Sequence, residues 1–149
     1  MHSIDILTIV AAGLMIGNEL TVSLFINPVM RRLEPTAQTH ALSLFAGLLG
    51  RVMPFWYALC LILFVAETWV RRGQVGFPFL LAASILWVLT IVFTIALLVP
   101  INNRIAALAA SAPLEEWLPE HRRWNRLHCV RIVLLLVALV LVLHALLPR

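Results

Sequence analysis

The sequence predicts an all-α integral membrane four-helix bundle with two amphipathic connector helices, forming one domain over residues 1–149. Three observations carry that expectation. The chain is 62% hydrophobic and only 12% charged, with a mean hydropathy of +1.00, so the solvent it is built for is lipid. Four apolar stretches, at about 4–27, 54–70, 77–99 and 129–147, have the length and composition of membrane spans. The basic residues lie between or beside these stretches, where headgroups and topology place them. All eleven are arginine, and the net charge is +4. No phosphate loop, RNA-binding aromatic motif or zinc-finger spacing accompanies them, so anionic lipid rather than nucleic acid is the expected partner.

The first stretch lacks a basic leader and a small-residue cleavage site, so it reads as a retained span. Glu19, Ser23 and Asn27 recur every four residues and make a polar stripe on it. A carboxylate inside hydrocarbon costs about 2.5–3.5 kcal/mol unless it faces protein or water. Glu19 should therefore face the bundle interior, as a paired or neutral packing residue or as a proton acceptor lining a cavity. Pro28 should end or kink the helix. Gly13 and Gly17 form a small-xxx-small pair that suits contact with a neighbouring helix, within the chain or in a homo-oligomer.

After Arg31 and Arg32, Pro35-Thr36 opens an amphipathic helix over 37–50, bearing His40 at an expected interfacial position. The second span follows from Pro54, with Trp56, Tyr57 and Trp69 placed as interfacial anchors. Glu67 and Arg71, four apart, should pair. The short glycine-containing turn 71–76 makes the second and third spans antiparallel neighbours. On the third span Thr90 and Thr94 share a face that continues toward Leu98 and Asn102, before Pro100 breaks it. A new helix start is expected at Ser111-Ala112-Pro113. Cys60 and Cys129 read as small packing residues.

The segment 99–131 holds most of the unusual polar and aromatic residues. Trp117, His121, Trp124, His128 and Arg131 fall at steps of four, three, four and three, one stripe on a helix. Arg122, Arg123 and Arg126 project away from it. Both halves of the chain repeat a plan of span, Asn/Pro break, arginine-bearing connector and span, which puts Asn27-Pro28 and Pro100-Ile101-Asn102 at one membrane face. Eight arginines belong to the two connectors and three to the other face. The positive-inside rule then places the connectors in the cytoplasm.

Together these residues offer a base (His128), amides (Asn27, Asn102, Asn103), a cation (Arg131) and aromatic walls (Trp117, Trp124). Such a set suits a flat phenolic or quinone-like molecule arriving from the bilayer. The plainer alternative is an aromatic and arginine belt at the headgroups, and a carrier of lipid or quinone stands between the two. His121 and His128, seven apart, are too distant to chelate one ion as an i, i+4 pair, although ligands from other helices leave a metal open.

Asn27-Pro28, Pro100-Ile101-Asn102-Asn103-Arg104 and Trp124-x-x-x-His128-x-x-Arg131 together resemble the anthrone-oxygenase-like family of small four-helix membrane proteins, many of them bacterial. The resemblance covers essentially the whole chain and implies a bacterial inner-membrane setting. It points to Asn102, Trp124, His128 and Arg131 as the functional positions. For the family's fungal polyketide members it implies oxidation of an anthrone to an anthraquinone by molecular oxygen, with no cofactor required. On that reading His128 is the base, Asn102 and Arg131 hold the oxygen, and Trp124 stacks on the rings, with Trp117, Asn27, Asn103 and Glu19 lining the substrate.

Overall fold

The computed structural model describes residues 3–109 and 112–146. Four helices in these residues are long and apolar enough to cross a membrane: Ser3–Met30, Pro35–Val70, Phe77–Ala106 and Glu115–Leu146. The chain is thus an all-helical membrane protein. The helices run up, down, up and down. Each packs on its neighbours in sequence, and the first closes the ring against the fourth.

Two expectations about breaks are corrected. Neither Pro28 nor Pro100 ends its helix. Each is preceded by a five-residue π segment, Val22–Ile26 and Thr94–Leu98, that stops two residues short of the proline. A proline removes one amide donor and crowds the carbonyl four residues back, and a wider turn relieves that crowding without interrupting the helix. The two halves therefore repeat a π turn and a proline at the same offset, which makes their shared plan concrete. The amphipathic connectors are likewise not separate pieces. The second helix is continuous from Pro35 to Val70 with Pro54 inside it, and the fourth runs from Leu114 to Leu146 with Pro119 inside it. The predicted start at Ser111 and the far end at Leu147 lie outside the described residues.

The main core fills the bundle centre with Met15, Phe64, Leu80, Trp87, Leu135 and Val142, and the small residues Ala12, Ala83 and Ala138 let backbones approach. A second cluster at the arginine-rich end joins Leu42, Ala46, Ile101, Ile105 and Trp117. Trp56 is no simple headgroup anchor: its indole N–H donates to the Ala11 carbonyl at 3.1 Å. Trp69 is exposed, with the Arg72 guanidinium 3.4 Å over its ring. Gly13 and Gly17 have open space beside them, since a Cβ at either would meet nothing within 4 Å.

At the end opposite the connectors, Glu67 and Arg71 pair at 3.3 Å as expected, and Arg71 also reaches Asp5 at 2.8 Å. Burial works against the Arg71 charge, but the hydrogen bonds to Asp5 and Glu67 outweigh it and hold the guanidinium pKa above its ordinary value. This clamp ties the start of the first helix to the end of the second.

Candidate functional site

The inward stripe of the fourth helix forms as its spacing requires. Trp117, His121, His128 and Arg131 are buried, while Arg122, Arg123 and Arg126 are exposed. The rings make a staircase. Trp117 meets His121 edge-on at 5.9 Å, His121 lies parallel to Trp124 at 6.1 Å, and Trp124 stacks on His128 at 4.6 Å.

At the inner end of that staircase the first helix delivers Glu19, which is only 2% exposed. Arg131 Nη2 donates to Glu19 Oε2 at 2.5 Å and to His128 Nδ1 at 2.8 Å. His128 Nε2 lies 3.1 Å from the Glu19 backbone carbonyl. A carbonyl only accepts, so Nε2 carries the hydrogen and Nδ1 accepts from the guanidinium. Both ring nitrogens of His128 are thus engaged. Tyr57 completes the cluster by donating its hydroxyl to Glu19 Oε1 at 3.1 Å. One carboxylate and one guanidinium balance inside the bundle, with a histidine and a tyrosine satisfying further positions, as a buried ion pair requires. Within this cluster Arg131 Nε is left buried with no partner.

This cluster forms one wall of a cavity of about 370 Å³ between the second and third helices. The remaining walls are largely apolar, among them Met53, Leu61, Ile91 and Leu98. Six of the eight residues expected at a site border it: Glu19, Asn102, Asn103, Trp124, His128 and Arg131. The face begun by Thr94 does continue through Leu98 to Asn102 along its edge. Asn102 spends one amide hydrogen on the Ala46 carbonyl at 3.0 Å, and Asn103 is solvent-exposed.

The other two expected residues lie elsewhere. Trp117 donates to Thr39 Oγ1 at 3.1 Å within the second hydrophobic cluster. Asn27 donates to Asn125 Oδ1 at 2.7 Å and borders a separate small void of about 20 Å³, with His121 and Asn102. His121 Nε2 is buried there without a partner. Tyr57, the only tyrosine in the chain, is the site residue that sequence reasoning missed; beside Trp56 at a span edge it read as a headgroup anchor. The signal available was its placement one turn inside Met53 and Pro54, on the face that Cys60 and Phe64 continue into the core. Among the described residues no group of three or more His, Cys, Asp or Glu side chains is placed to hold a metal ion.

A membrane four-helix bundle with a buried acid–base cluster opening on an apolar cavity is the class of protein these features define. Residues 42–141 match the family described as anthrone oxygenase, and the chain belongs to that family. The match takes in most of the second helix, the third and most of the fourth, and with them every cavity residue except Glu19. No functionally curated protein and no solved structure matches the chain.

Proposed function

We propose that the protein is a membrane-embedded oxygenase that oxidises a flat, hydrophobic phenolic or anthrone-type molecule with molecular oxygen. The observation that carries this reading is the Glu19–Arg131 pair set in the wall of an otherwise apolar cavity, with Arg131 Nε unpaired. A buried polar atom left without a partner costs about 1–3 kcal/mol, so a substrate oxygen that accepts from it is bound with added strength.

Proton abstraction falls to Glu19: the one lone pair of the His128 ring accepts from Arg131, whereas each Glu19 oxygen keeps a second lone pair beyond the one given to Tyr57 or Arg131. The carboxylate takes a proton from the methylene opposite the anthrone carbonyl. Negative charge moves onto the carbonyl oxygen, where the Arg131 guanidinium meets it. Arg131 then exchanges one anion for another, so the net buried charge is the same before and after the step. His128 is a positioning residue that holds Arg131 and the Glu19 backbone, and Tyr57 steadies the carboxylate. Trp124, stacked on His128, adds an aromatic wall to the cavity. The anion combines with oxygen at the deprotonated carbon, and the peroxide anion so formed takes the proton back from Glu19 to become a hydroperoxide. Glu19 then removes the second hydrogen of that carbon as a proton while the O–O bond breaks, which gives the new carbonyl, and the expelled hydroxide takes that proton from Glu19 and leaves as water. One anthrone and one dioxygen yield one anthraquinone and one water.

The arginine-rich end, with Asn102 and Asn103, would face the cytoplasm of a bacterial inner membrane. Oxygen uptake by protein in vesicles supplied with anthrone tests the reading. Glu19→Gln and Arg131→Met should each lower turnover by about 100-fold or more, the scale of losing a positioned charge-stabilising group. Binding with no oxygen uptake by the unaltered protein would favour a carrier instead. Unchanged uptake in both variants would remove the enzymatic assignment.

A further inference from the structure

The cavity's mouth is formed by residues that line it and are also exposed on the outside of the bundle. Gly50, Pro54 and Ala58 lie one turn apart along the second helix. Ile95, Val99 and Asn103 do the same along the third. The two helices are antiparallel and in register there, since Asn102 reaches the Ala46 carbonyl at 3.0 Å and Ser43 reaches the Ala106 carbonyl at 3.0 Å. In that register Gly50 faces Val99 and Pro54 faces Ile95, with Asn103 one turn beyond them at one end and Ala58 one turn beyond at the other, so the six positions form the staggered edges of a single slot.

The slot runs from Asn103, beside Arg104 at the arginine-rich end, past the facing pairs Gly50–Val99 and Pro54–Ile95, to Ala58 at its deep end. One edge is made only of Gly, Pro and Ala, which project little into the opening, and both edges follow helix axes, so the opening is elongated along the bundle. Pro54 has no amide hydrogen, which leaves the Gly50 carbonyl without its usual helical donor at the polar end. On the outside, Phe55, Leu59 and Ile62 of the second helix and Val92 of the third are exposed large apolar residues, as a lipid-facing surface requires. The Glu19–Arg131 pair lies behind the slot, about 12 Å deeper than Asn27, taken as eight residues at 1.5 Å each.

We infer that this slot is a lateral portal through which a flat, lipid-dissolved substrate passes edge-on from the acyl layer, its polar end at Asn103. The inference rests on the reading above that the cavity holds a hydrophobic small molecule. It adds the route and the residues that select by shape, with Ile95, which faces Pro54, and Ala58, one turn deeper, as the gateposts. A molecule too thick for the gap between a small-residue edge and an aliphatic one is rejected before it meets the acid–base cluster.

Leu98, 1% exposed, lines the cavity and serves as a reporter that requires neither turnover nor anthrone. In a Cys129→Ser background, protein carrying Leu98→Cys is reconstituted in vesicles and treated with a pyrene maleimide that partitions into lipid, or with a sulfonated maleimide confined to water. Labelling of the Cys129→Ser protein without Leu98→Cys is subtracted. The portal predicts at least tenfold faster labelling by the pyrene reagent, and at least tenfold slowing of it by Ala58→Trp or Ile95→Trp. Leu59→Trp, on the lipid face but not on the cavity wall, should leave the rate unchanged. Equal labelling by the aqueous reagent, or pyrene labelling indifferent to both slot substitutions, overturns the portal. Anthrone oxidation separates the two claims: a slot that gates pyrene in a protein that consumes no oxygen sinks the oxygenase alone, whereas turnover that persists with the slot closed sinks the portal alone.

Discussion

Glu19 and Arg131 are each tolerable in the bundle only because of the other. Arg131→Met leaves a carboxylate buried among apolar side chains and should cost about 3–5 kcal/mol of stability, the usual penalty for breaking a buried pair from one side. Glu19→Gln combined with Arg131→Met removes both charges and should recover much of that loss, which thermal unfolding of the single and double variants in detergent would show. A double variant no more stable than the worse single one would mean the pair is not coupled. Glycines allow a finer comparison on the second helix. A Cβ at Gly47 meets nothing, whereas one at Gly50 lies 3.1 Å from Asn102 Nδ2. Gly47→Ala should therefore stabilise by about 0.5–1 kcal/mol, the helical advantage of alanine over glycine. Gly50→Ala should forfeit that gain by pushing Asn102 off the Ala46 carbonyl. Equal melting shifts for the two would contradict the close approach of the third helix.

At the scale of elements, the π segments before Pro28 and Pro100 turn the helix ends differently from a regular helix. Pro100→Ala restores an amide donor and removes the ring. The segment 94–98 should then relax toward α geometry, rotating Asn102 and Asn103 away from the cavity, with stability kept and anthrone binding weakened. Retained binding in that variant would mean the proline does not set the rotation. Trp117→Phe offers the opposite contrast: loss of its bond to Thr39 should cost about 1 kcal/mol in melting and leave oxygen uptake unaltered. The stripe from Trp117 to Arg131 was legible in the sequence because one helix carries it and its period is local. The inward direction of Glu19 was legible because a carboxylate has few affordable places in lipid. Tyr57 was not, since its burial depends on how the second helix is rotated against the first, which no spacing within one helix fixes. The continuity of the helices through Pro28, Pro54, Pro100 and Pro119 was hidden for a related reason. A proline weakens a helix locally, but neighbouring helices decide whether it breaks.

At the scale of the whole molecule the two ends of the bundle have different tasks. The Asp5–Glu67–Arg71 clamp closes the end away from the cavity, so Arg71→Met should lower the melting temperature without changing oxygen uptake by the folded protein. The other end holds the aromatic staircase and, deeper, the acid–base cluster behind a lipid-facing slot. The account depends on that cluster removing a proton from a bound hydrophobic substrate, and the most direct measurement isolates that step. Anthrone is added anaerobically to the protein in vesicles, and its absorbance reports whether the bound molecule is neutral or the anion. The account predicts the anion spectrum with the unaltered protein and the neutral spectrum with Glu19→Gln. A neutral spectrum in both, with anthrone demonstrably bound, would contradict it.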